Sequence, residues 1–188
     1  LSAVLSRRSA LAGLGVGLLL ATANEIVNIV YGLWMEDAFG LRIAALGAAT
    51  AVIGLAELGG EGLVAGLTDR IGKRRSLAAG ILLSCGTLLA LPLLGTTLAG
   101  ALVGLFALYL TFEYSIVSSL PLMTEQVPAA RSTLMATNIA GLSLGRVLGA
   151  LAGGPLFALG IRANTVAAAM LNLLALGLLL AFVKEQGE

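Results

Sequence analysis

Long apolar runs alternate with short polar breaks along the whole chain. The first covers roughly 11–35 and closes at Glu36, Asp37 and Gly40. The second covers about 42–67 and stops at the charged stretch from Asp69 to Arg75. The third, about 76–95, closes near Gly95-Thr96-Thr97, and the fourth spans about 99–123. Thr124-Glu125-Gln126-Val127-Pro128 then interrupts the chain, because proline forces its predecessor out of the α region. The fifth run is about 131–158, ended by Gly160, and the sixth is about 163–183. Crossing a bilayer takes roughly 20 apolar residues per helix. The expectation is an all-α, polytopic membrane protein: a tail over 1–10 and a six-helix transmembrane bundle over 11–188.

Composition agrees and narrows the class. Of 188 residues, 59% are hydrophobic and 11% charged, against about 25% charged in soluble domains. Too few charges remain to cover a soluble surface, which excludes an ordinary cytosolic enzyme, a nucleic-acid binder and a disordered chain. Cys85 is the single cysteine, so no intrachain disulfide forms, and the lack of histidine excludes imidazole-based metal sites and proton relays. No nucleophile–base pair, metal cluster or cofactor motif stands out, so neither an enzyme nor a bound cofactor or metal is expected. The start at Leu1 rather than Met points to a fragment. Ser6-Arg7-Arg8-Ser9 before an apolar run, with Ala21-Thr22-Ala23 after it, resembles a cleavable signal peptide. The run continues past Ala23 to Met35, however, and more spans follow, so a retained first helix is the favoured reading.

The net charge of +1 says little, but the placement of charge says more. Arg7, Arg8, Arg70, Lys73, Arg74, Arg75, Arg131 and Lys184 fall on one side of a six-span topology, and only Arg42 and Arg162 on the other. By the positive-inside rule, both termini are expected in the cytoplasm, in a bacterial inner membrane.

Ionisable residues at mid-bilayer cost roughly 2.5–3.5 kcal/mol to insert, so they are candidates for function. Counting 1.5 Å per residue places Glu25, Glu57, Glu113 and Arg146 near mid-span, with Glu61 nearer the cytoplasmic end. Three acids and one base do not neutralise one another. Arg146 is expected to pair with Glu113, with Glu25 as the alternative partner. A buried carboxyl without a partner favours its neutral form, which is what a site that binds and releases a proton requires. Glu25 shares its face with Asn28 and Gly32, which suggests the wall of a wet cavity. A static ion pair that only orders the bundle is the competing reading for Arg146 and Glu113.

The fourth helix carries Tyr109, Thr111, Tyr114, Ser115, Ser118 and Ser119. Either these hydroxyls face a substrate, or they bond back to their own helix. The fifth carries Gly141, Gly145, Gly149 and Gly153 on one stripe, which lets another helix approach closely, and Gly154-Pro155 favours a kink. The glycines are no phosphate loop, because they lie inside a span without a following Lys-Ser/Thr. The sixth helix, with only Asn164, Thr165 and Asn172 as polar interruptions, is expected on the outside, facing lipid.

The second connection reads Ala65-Gly66-Leu67-Thr68-Asp69-Arg70-Ile71-Gly72-Lys73-Arg74-Arg75. It resembles the loop G-x-x-x-D-R-x-G-[RK]-[RK] of the major facilitator superfamily at Asp69, Arg70, Gly72, Lys73 and Arg74, with Ala65 in place of the first glycine. Pro121 to Arg131 is similar to the family's acidic-Pro-Arg segment. The resemblance covers essentially the whole chain but six helices rather than twelve, and Arg7 and Arg8 fit the end of a central loop, so the C-terminal half is favoured. It implies two halves rocking about a central cavity, each half an inverted three-helix repeat. Helices one, two, four and five would face the cavity or the other half. Asp69 would meet the N-terminus of a helix in that half. Arg70 and Arg74 would join a charge network whose counterparts are Glu125 and Arg131 on the fifth helix. The glycine stripe would face the missing half.

The resemblance therefore implies secondary active transport of a small molecule, with proton-coupled efflux preferred. Proton-linked metabolite uptake is the alternative, and a non-transporting membrane scaffold the alternative of another class. The implied partners are membrane lipid, the missing N-terminal half or a second copy as a homodimer, a small-molecule substrate and H⁺.

Overall fold

A computed structural model describes residues 2–40 and 43–184. Within them the chain forms α1 (Ser2–Leu5), α2 (Arg8–Asn28), α3 (Tyr31–Phe39), α4 (Ile43–Ile71), α5 (Lys73–Leu94) and α6 (Leu98–Gln126). A short 3-10 turn over Pro128–Ala130 leads into α7 (Arg131–Phe157) and α8 (Ile161–Phe182). Six stretches are long and apolar enough to cross a membrane: Arg8–Phe39, Gly47–Ile71, Lys73–Leu94, Leu98–Gln126, Pro128–Phe157 and Ile161–Phe182.

The first span is not one helix. It breaks between α2 and α3 at Ile29 and Val30, whose amides reach back to Glu25 O at 3.0 Å and Val27 O at 3.2 Å. It ends at Gly40, which is left-handed at φ +62° and donates its N–H to Glu36 O at 2.8 Å. Only glycine enters that region without a Cβ clash. The second span runs to Ile71, beyond the expected end at 67, so Asp69 and Arg70 belong to its last helical turn. Gly72 alone then turns the chain, at φ +94° and ψ 144°. Gly160 does the same between α7 and α8, at φ +94° and ψ 158°.

The packing of the spans is self-similar. The first span packs on the fifth and sixth, as the fourth packs on the second and third; the third and sixth pack on each other. Exchanging spans one to three for four to six reproduces these contacts. Because each set has an odd number of spans, the two repeats run in opposite directions through the bilayer. Asn172 lies 88 residues after Ser84, as Gly160 lies after Gly72, and the Asn172 amide donates to Ser84 Oγ at 3.0 Å. That bond joins two equivalent positions, so it lies on the pseudo-two-fold axis.

Helices in lipid gain nothing from excluding water between them; close van der Waals contact holds them instead. The glycine stripe of α7 provides it against α2. A Cβ on Gly145 would lie 2.5 Å from Leu18 O, and one on Gly149 would lie 2.6 Å from both Thr22 O and Glu25 Cβ. Gly153 meets Ile26 and Ile29 in the same way, while Gly141 has 3.9 Å to Leu14 O. The stripe thus packs within this half and does not face a missing one. The other repeat uses Gly60 of α4, whose Cβ would lie 2.8 Å from Glu113 Cβ and 2.9 Å from Leu110 O.

The sixth helix is less peripheral than its composition suggested. One face of α8 exposes Leu173, Leu174 and Leu180, but Asn164, Thr165 and Asn172 are buried. Asn164 Nδ2 donates to Ile26 O at 2.9 Å and Gly153 O at 2.8 Å, binding α8 to α2 and α7. At one end of the bundle Ser9 donates to the Gln126 side chain, and Gln126 Nε2 donates to Lys184 O at 3.0 Å. The described chain ends and the α4–α5 and α6–α7 connections therefore share one end. Arg162, at the start of α8, lies at the other; Arg42 is outside the described residues.

Candidate functional site

Glu25 is half-buried in α2, one turn before Asn28. The Asn28 amide lies 3.2 Å from both Glu25 carboxylate oxygens, and its own oxygen accepts from the Tyr109 hydroxyl at 2.6 Å. This chain of hydrogen bonds joins the first span to the fourth. Tyr109, 2% exposed, is a site residue that composition alone had left among the other hydroxyls. Tyr31 and Thr50, 2.9 Å apart at their hydroxyls, connect α3 to α4 close by.

Glu113 is half-buried in α6 and lines a cavity of about 250 Å³ with Arg146 of α7 and Ala21 of α2. The rest of the lining is apolar, chiefly Phe112, Ile116, Leu120 and Leu142. The expected ion pair is not formed: among the described residues Arg146 is within bonding distance of neither Glu113 nor Glu25. Glu57 and Glu61 are exposed on α4, and Arg146 is exposed on α7. Glu113 nonetheless feels the charges of Glu57, Glu61 and Arg146, and Tyr109 feels those of Glu25 and Glu57. The mid-span charges therefore gather on one face shared by α2, α4, α6 and α7.

The inverted repeat orders these charges. Glu25 packs its Cβ on Gly149, and Glu113 packs its Cβ on Gly60. Glu57 precedes Gly60 by one turn, as Arg146 precedes Gly149. Glu25 and Glu113 are thus equivalent positions, and so are Glu57 and Arg146. The two repeats match in their buried acid and differ in sign at the neighbouring position.

The other hydroxyls of α6 are largely spoken for. Thr111 donates to Ala107 O at 2.9 Å, Ser115 to Thr111 O at 2.6 Å and Ser119 to Ile116 O at 2.6 Å. Ser118 and Thr68 face each other at 3.3 Å. Tyr114, one residue from Glu113, is turned away from it: it is buried against Gly80 of α5. It does not join the substrate-pathway candidates on the charged face.

At the polar end, Lys73 pairs with Glu125, which lies in the last turn of α6 and not on the fifth helix. Arg74 Nη2 donates to Leu180 O at 2.8 Å, and Arg131 Nε to Thr124 O at 3.3 Å. The first two contacts fasten α5 to α6 and α8, and the third ties α7 to α6. Asp69 is exposed and has no ion pair among the described residues.

Six membrane-length helices in an inverted repeat, with ionisable side chains on a face the chain leaves open, define a six-helix half of a membrane transporter. The Major Facilitator Superfamily model matches residues 13–188, and the chain belongs to that family. It is accordingly a multi-pass membrane protein of the major facilitator transporter type. No curated protein matches the chain.

Proposed function

We propose that the chain is one half of a secondary active transporter that works by alternating access and couples export of a small amphiphilic molecule to proton entry. The observation that carries this reading is the cavity between α2, α6 and α7, where Glu113 faces Arg146 without an ion pair and the remaining wall is apolar. A carboxyl in that setting can exchange a proton, and an apolar wall suits an amphiphile better than a sugar. Glu25, held by Asn28, is the second carboxyl of the pathway. Asp69 and Arg70 belong to the conformational switch at the cytoplasmic side, where both termini lie, in a bacterial inner membrane. The open face of α4 and α7 receives the N-terminal six-helix half, or a second copy.

The test is flux in proteoliposomes containing the complete transporter, with a pH gradient imposed in either direction. Proton-driven export, lost in Glu113→Gln and reduced in Glu25→Gln, is the expected result. Flux that ignores the gradient, or that survives both substitutions unchanged, overturns the reading. Flux in the opposite sense under the same gradient identifies uptake.

A further inference from the structure

A second cavity lies away from the charged face. α4 and α5 are joined by a single glycine, yet they touch each other little, and each rests on α6. The splay opens a groove of about 210 Å³, walled by Leu63, Leu67 and Ile71 of α4, Ala79 and Leu83 of α5, and Leu110 of α6. Two hydroxyl-bearing residues of α6 also line it: Thr111, already bonded to Ala107 O, and Tyr114, which is buried against Gly80. Water needs two or more polar partners to occupy a cavity, and this wall offers almost none. Leu63, Leu83 and Ile71 are 41%, 59% and 40% exposed, so the groove opens outward from the bundle.

The groove runs to the polar end of the bundle, and its mouth is basic. Arg70 follows Leu67 by three positions on α4, and Arg75 precedes Ala79 by four on α5, so each sits one turn beyond the lining on the same side of its helix. Both are exposed, and no ion pair engages either among the described residues. Lys73 and Arg74, between them, are held by Glu125 and Leu180 O. Asp69, at 100° per residue, falls on the opposite face of α4 from the groove.

We infer that this groove binds an anionic phospholipid, with an acyl chain between α4, α5 and α6 and the phosphate held by Arg70 and Arg75. Charge complementarity selects the occupant. A guanidinium pair matches phosphate oxygens in bidentate geometry, whereas a partner helix would leave both cations bare.

Native mass spectrometry of the full chain, delipidated in mild detergent and titrated with phosphatidylglycerol, phosphatidylcholine or inorganic phosphate, tests it. Phosphatidylglycerol should bind at one per chain, more tightly than phosphatidylcholine, and inorganic phosphate should not displace it. This wild-type comparison depends on no variant. Arg75→Gln should weaken phosphatidylglycerol about fivefold, the worth of one basic residue at an anionic surface, and bring it towards phosphatidylcholine. Ala79→Phe, which fills the groove and keeps both arginines, should weaken both lipids, in protein that elutes as a single species with unchanged helicity. Equal retention of the two lipids, or phosphatidylglycerol binding untouched by Ala79→Phe, overturns the inference. Displacement by inorganic phosphate overturns it as well, since the site would then hold a phosphate and no acyl chain.

Discussion

Replacing Gly145 by alanine sets two effects of known size against each other. In a helix interior, glycine to alanine gains about 1 kcal/mol. Against that, the new Cβ would lie 2.5 Å from Leu18 O, 3.0 Å from Ala21 Cβ and 3.2 Å from Thr22 N. Two of these three atoms are backbone of α2 and cannot rotate away. Ordinary contact begins at 3.4 Å, so α2 and α7 must part by nearly 1 Å. A gap of that order forfeits roughly a quarter to a half of each facing dispersion well, and overpacking costs typically about 1–3 kcal/mol. Gly62→Ala isolates the opposing gain, because a Cβ there meets nothing within 4 Å. Gly145→Ala should therefore unfold about 2 kcal/mol more easily than Gly62→Ala. Reversible detergent denaturation followed by fluorescence of Trp34, the single tryptophan, measures the difference. Equal stability of the two variants would refute the close-packing argument. Gly60→Ala adds a check on the repeat: its Cβ lies 2.8–3.0 Å from Glu113 and the α6 backbone, so it should lose nearly as much.

Gly72→Ala and Gly160→Ala each force a side chain into φ +94°. Each should cost about 1–3 kcal/mol, seen as a lower unfolding midpoint with helicity preserved in the fraction that folds. Asn172→Ala removes the axial bond to Ser84 and should cost about 0.6–1.7 kcal/mol in the same denaturation assay. Tyr109→Phe deletes the donor to Asn28. It should cost about 0.5–1.5 kcal/mol and alter proton-coupled flux, while unaltered flux would place the Glu25–Asn28–Tyr109 chain outside the transport pathway.

The spans were legible because apolar run length and bilayer thickness leave few alternatives, and Gly40, Gly72 and Gly160 punctuate them. The break at Ile29 and Val30 was not, since Asn28 and Gly32 on either side of it read as the wall of a cavity and not as the end of a helix. Depth could be counted, so Glu25, Glu57, Glu113 and Arg146 were found together at mid-span. Angle could not: the count that placed Arg146 level with Glu113 says nothing of the gap between them. It also left open that Tyr114, one residue further round α6, turns towards α5. The glycine spacing declared a close helix contact but not its partner, which depends on how helices are arranged around α2. The polar residues of α8 were read as minor interruptions of a lipid-facing helix; Asn164 and Asn172 bind it to three neighbours. The 88-residue correspondence between the repeats was hidden because equivalent positions share size and environment more than residue type, as Ser84 and Asn172 demonstrate.

The interleaved packing also sets a schedule. The first span finds its main partners in α7 and α8, which begin about a hundred residues after α2 ends. A ribosome adding about 5–20 residues per second therefore leaves α2 waiting on the order of 5–20 s in the membrane before either can dock. Until α6 arrives with Tyr109, Glu25 and Asn28 have only each other and the surrounding lipid. The nascent chain is then most exposed to quality-control proteases, and a message cut off before α7 yields four spans, of which the first lacks the α7 and α8 it packs against.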